Sequence, residues 1–272
     1  MNVSLTNLQS QDVEAHYNMV RGVIETEFPE LNEMYDEILI IIGNERDIQN
    51  RRFEEVVTKF FGERPVSLTS QCFPVKMTPH PPKGCIEINL SIFETYAEWK
   101  QKFSIRHECC HLLNYEETPT ILDELRQRYP MDYLKAFIRY QHEFLAHSCC
   151  IQRYPEDWLR EPLGFNEAMP SPRVAYREIR ERSGRCAAIY FAVQNMVHLL
   201  SLLCLYDNVP SNFRPQITRK REIAEGFLKS FFQELQNDAH SFPPPNGWIG
   251  CNEFLKVEGY LRKVQALLSL VG

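Results

Sequence analysis

From Gln11 to Phe28 the apolar residues Val13, Tyr17, Val20, Val23 and Ile24 recur at helical spacing and Pro29 closes the run, which predicts an amphipathic helix. Glu37 to Ile42 (EILIII) is a short β-rich run stopped by Gly43, and Arg51 to Phe61 (RRFEEVVTKFF) reads as a second helix stopped by Gly62. Two further strands are expected at Pro65 to Cys72 and at Cys85 to Ser91. In the second, Ile86, Ile88 and Leu90 would face inward and Glu87, Asn89 and Ser91 outward. The connection between them, FPVKMTPHPPKG, reads as a turn-rich loop because prolines punctuate it. Helical spacing returns from Tyr96 to about Asn114, then over Leu122 to Tyr129 and Met131 to Arg153, the last two separated at Pro130. After a loop from Pro155 to Pro172 the chain is helical almost throughout. The pattern predicts an α+β front, residues 1–165, and a mostly α-helical back, residues 166–272.

Composition narrows the function classes. The 272 residues are 44% hydrophobic and 24% charged, which fits a folded globular chain able to bury a core without disulfides. Thirty basic against thirty-six acidic residues leave a formal charge of −6, so no general basic field invites nucleic acid, and none is expected as a partner. The nine cysteines are odd in number, and four stand as the adjacent couples Cys109/Cys110 and Cys149/Cys150, a poor disulfide framework. The amino-terminal residues lack both the basic start and the apolar run of a secretory signal, so a reducing cytoplasmic setting is expected. Cys186 to Tyr206 carries no formal charge and is long enough to span a bilayer. Gln194, Asn195, His198 and Ser201 crowd its middle, however, and a buried core helix is expected there instead.

The chemistry concentrates in RHECCHLL. His107 and His111, four apart on the helix expected over Tyr96 to Asn114, project from one face and can reach one metal, with Glu108 beside the open coordination position. The motif follows directly on an alternating strand whose edge could receive an extended peptide. Catalytic zinc takes three protein ligands plus water, and Glu143, in YQHEFLAHSCC, is the next candidate; a helix laid across the first would bring its carboxylate to the imidazole pair.

The stretches KGCIEINLSIF, QKFSIRHECCHLL and QHEFLAHSCC resemble the ImmA/IrrE family of gluzincin-type metallopeptidases. Ile86, Ile88 and Asn89 match that family's strand, Phe103, Ser104, Ile105, His107, Glu108 and His111 its first helix, and Glu143 and Ala146 its second. The match covers roughly residues 83–154. It implies a zincin-like amino-terminal domain, a small sheet with an active-site helix and a glutamate helix, holding one Zn²⁺ per chain on His107, His111 and Glu143. It further implies hydrolysis of a peptide or protein substrate, with Glu108 as the general base toward a metal-activated water. The family's small or apolar pair is Cys109–Cys110 here, and His147 stands where the family has Asn or Asp. His147, Tyr140, Tyr154 and His142 are candidates to support a ligand or to donate to the oxyanion. His142 points about 100° away from Glu143 on a helix and ranks below His147.

Two rivals stand beside this expectation. One is a regulatory or interaction protein that holds metal in the same site without turnover; the other is a metalloprotease anchored in a membrane by Cys186 to Tyr206. Arg173 to Arg185 holds five Arg against two Glu and reads as a solvated helix face. The cysteine couples read as close packing behind the site. His16, His80, His198 and His240 read as structural or surface residues, and Trp248 as a loop anchor. Nothing in the pattern fixes the oligomeric state.

Overall fold

A computed structural model describes residues 1–8, 13–48, 51–62, 74–114, 143–160 and 171–241. The chain divides into two compact units, Met1–Tyr115 and Glu116–Gly272. The domain boundary expected near residue 165 lies outside the described residues, as do the strand expected at Pro65 to Cys72, the helix expected at Leu122 to Tyr129, and Trp248.

The first unit is mixed α and β. Its elements are β1 (Asn2–Asn7), α1 (Glu14–Glu27), α2 (Leu31–Met34), β2 (Glu37–Gly43), α3 (Glu45–Ile48), α4 (Arg51–Phe61), β3 (Val75–His80), β4 (Lys83–Asn89), α5 (Leu90–Phe93) and α6 (Glu98–Leu113). The strands form one sheet in the order β1-β2-β4-β3. The first three are parallel, and β3 runs antiparallel to β4 in the register Met77 to Ile86 and Pro79 to Gly84. Parallel strands are covered on both faces, and β2 reads accordingly as an unbroken apolar run. On one face Leu39, Ile41 and Cys85 pack with Phe53 and Val57 of α4. On the other, a side chain at Gly84 would meet the Tyr35 ring at 3.3 Å and Leu112 of α6 at 3.4 Å, which places α6 over the face shared with Ile86 and Ile88.

This double cover corrects the expected alternation of β4. Glu87 and Asn89 do not face solvent; they are 4% and 5% exposed. Asn89 ends the strand and accepts from the Ser91 N–H at 3.2 Å, so Leu90 and Ser91 begin the short α5 instead of extending the sheet. The expected loop before β4 is largely strand: among the described residues Val75–His80 forms an edge of the sheet, a position that tolerates Pro79 because no further described strand requires its missing N–H. The edge strand β1 is also absent from the pattern read above.

The second unit is helical where described. Residues 143–153 form α7, Pro155–Arg160 α8, Pro172–Asn208 α9 and Arg214–Ser241 α10, with a 3₁₀ turn at Ser211–Phe213. The loop expected from Pro155 therefore begins as a helix, since proline is at home in a first turn and Glu156 and Asp157 follow it there. The long α9 and α10 pack against each other, and Glu234 on α10 is ion-paired with Arg173 at 3.2 Å and Arg177 at 3.6 Å on α9. Within α9, Gly184 leaves helical geometry at φ 87° and ψ 171°. Ala187–Asn208 is long and apolar enough to cross a membrane by length and composition, and 61% of an 18-residue apolar stretch within it is buried inside the protein.

Candidate metal centre

Two of the candidate ligands, His107 and His111, stand on α6, and what holds α6 decides where they point. Arg106, next to His107, donates from Nε to Glu27 Oε2 at 2.7 Å and from Nη2 to Glu27 Oε1 at 3.0 Å, a forked pair that fixes α6 against α1. At the other end the Tyr35 hydroxyl donates to the Leu112 carbonyl at 3.0 Å, which gives a carbonyl of the last turn a partner. Phe103, Ile105, Cys109, Cys110 and Leu112 are buried. Both cysteines are fully buried, Cys110 included, although its place on the helix put it nearer the rim of the histidine face. They fill space behind the ligands as small apolar groups.

His107 and His111 are half-buried, and their rings meet edge to face with centroids 4.7 Å apart and Nε2 atoms 3.1 Å apart. Glu143 on α7 completes a group: one ligand atom from each of His107, His111 and Glu143 lies within 4.8 Å of the others. This group could hold a metal ion. A tetrahedral ion with bonds near 2.1 Å separates its ligand atoms by about 3.4 Å, close to the imidazole pair's spacing, so the donor set fits.

Glu108 is fixed from a direction the motif does not reveal. The backbone N–H of Met77 on edge strand β3 donates to Glu108 Oε2 at 3.0 Å. Near it on β4, Glu87 has its carboxyl pushed up to about 7, chiefly by burial and further by the Glu108 charge, while Lys76 and Thr78 hold it back.

His147, one turn after Glu143, places Nε2 3.9 Å from Glu143 Oε2 and accepts at Nδ1 from the indole Nε1 of Trp158 at 3.2 Å. Tyr154 is half-buried at the junction of α7 and α8. Tyr140 and His142 lie outside the described residues. His16 and His80 stand elsewhere, the first beside Glu94 and Phe93, the second against Phe61. Met77 and Trp158 escaped the sequence reading. The signal for Trp158 was present in PEDWLR, a proline and two acids opening a helical turn; for Met77 none existed, because its role follows from strand register.

No family model matches the chain, and no curated protein or solved structure matches it.

Proposed function

We propose that this chain is a cytoplasmic zinc-dependent metallopeptidase of the zincin type, similar to the ImmA/IrrE family, acting on a peptide or protein substrate. The observation that carries this reading is the grouping of His107, His111 and Glu143 with Glu108 adjacent in the chain and pinned to an edge strand. Two imidazoles and a carboxylate are the donor set of catalytic zinc sites that keep one position open, whereas structural sites close it. When bound, zinc would supply a Lewis acid and a coordinated water with its pKa lowered toward about 7.

The remaining work falls to the chain's own residues. Glu108, with Oε2 held by the Met77 N–H, would accept a proton from water at its other oxygen and pass it to the leaving amine. Strand β3, the edge of the sheet among the described residues, would offer its outer side to an extended peptide, which adds to a sheet edge through main-chain hydrogen bonds. Burial of most of Ala187–Asn208 supports a core helix over an anchor, and two of the polar groups there close on the helix itself: Asn195 Nδ2 donates to the Phe191 carbonyl at 2.7 Å and Ser201 Oγ to that of Val197 at 2.9 Å.

Metal analysis of the protein purified without detergent is expected to give about one zinc per chain. Glu108→Gln should keep the metal and lose peptide hydrolysis by at least about 100-fold. A wild type that can neither retain nor take up zinc overturns the proposal. Full activity in Glu108→Gln removes the assigned base.

A further inference from the structure

His147 and Trp158 form, with Glu143, a chain of groups that metal ligation alone does not require. The indole of Trp158 is completely buried, and an indole N–H can only donate. Its partner at 3.2 Å, His147 Nδ1, must therefore be the ring nitrogen without a proton, and the neutral imidazole carries its proton on Nε2. That nitrogen is the one 3.9 Å from Glu143 Oε2. The tautomer thus turns an N–H toward the carboxylate. Ligating groups are commonly oriented by such a partner, whose loss costs about 10- to 100-fold in metal affinity.

The indole is itself fixed. Its ring meets Tyr206 of α9 edge-on at 6.2 Å, and the Leu159 carbonyl of the same short helix accepts from Lys220 Nζ of α10 at 3.3 Å. Both long helices of the second unit thereby set where α8 presents its N–H.

We propose that Trp158 is a positioning residue for Glu143, acting through His147 by fixing the imidazole in the Nε2–H form. The inference rests on the reading of Glu143 as a metal ligand. It also assigns His147 a role distinct from ligation or oxyanion donation.

Zinc affinity of the full chain tests it, measured by competition with a chromophoric chelator. Trp158→Phe keeps an apolar ring and removes the N–H; it should weaken zinc binding about tenfold or more, as should His147→Leu. Because the indole acts through the imidazole, the double variant should bind no more weakly than His147→Leu alone. Losses that add, or an unchanged affinity in Trp158→Phe, overturn the relay and leave the metallopeptidase reading standing. A wild type that takes up no zinc removes that reading and the inference with it. Should Trp158→Phe not fold, nitrogen NMR of the wild-type imidazole in alkaline, metal-free buffer decides: the Nε2–H tautomer at His147 supports the relay and the Nδ1–H tautomer overturns it.

Discussion

A carboxyl group on a strand covered from both sides resists its own ionisation, and Glu87 does so at the centre of the sheet. Only 4% exposed, it is pushed up from 4.5 to about 7 by burial first and by the Glu108 charge after it. A carboxyl whose folded pKa lies above its unfolded value binds its proton more tightly in the native state. Its contribution is therefore fully present below about pH 4.5 and is lost as pH rises through about 7. In metal-free wild type, denaturant stability should decline over that window by an amount on the order of 3 kcal/mol if no other group titrates differently. Glu87→Gln should flatten the decline and be the more stable protein at pH 8; parallel profiles for the two would refute the assignment. At this scale the site was legible in part. His107, Glu108 and His111 could be placed because four-residue spacing on a helix is geometry in its own right. Glu87 was misread because alternation assigns it to solvent only when one face of a sheet is bare, and here neither is.

Among the elements, α6 is held by contacts far apart in sequence, and Gly84 shows how closely. A Cβ there would press on the Tyr35 ring at 3.3 Å and on Leu112 at 3.4 Å, and Tyr35 is also the group that bonds the Leu112 carbonyl one residue past His111. Gly84→Val should cost about 1–3 kcal/mol through overpacking and should loosen the end of α6 that carries His111. Thermal unfolding and zinc affinity measured together check this, and Gly84→Ala should show the same direction with smaller losses. The prolines of TPHPP explain why β3 was taken for a loop. They exclude an interior strand, which is a different statement from excluding any strand, and the register that brings the Met77 N–H to Glu108 exists only once an edge is allowed. Pro155 misled in the same way, since the residue that ends helices also opens them. The helix at Arg51–Phe61 was readable to the residue because its periodic face and its stop, Gly62 at φ 83°, are both local.

For the molecule as a whole, its mixed α and β character was legible because the hydrophobic period changes along the chain. The pattern did not yield the order β1-β2-β4-β3, since the partners of a strand are not written in its own residues. The uncharged run in the helical unit showed the limit of composition: Ala187–Asn208 satisfies the length and hydropathy of a membrane span while much of it is covered by protein. What bounds that run is Gly184. At φ 87° and ψ 171° it occupies a region that a residue with a side chain enters only at a cost of about 1–3 kcal/mol, and it stands near the end of the arginine-rich stretch, just before the apolar one. The longest of the described helices is therefore two helical segments joined end to end. Hydrogen exchange should reveal them as such: amides of residues 172–183 should open independently of those of 187–208, whose exchange should follow global unfolding of the helical unit. A single protection factor along the entire length would instead make Gly184 a bend and nothing more. Before this break the helix is held mainly by Tyr176 and the Arg173 and Arg177 pairs to Glu234, and after it by buried leucines, so the two segments draw on different contacts.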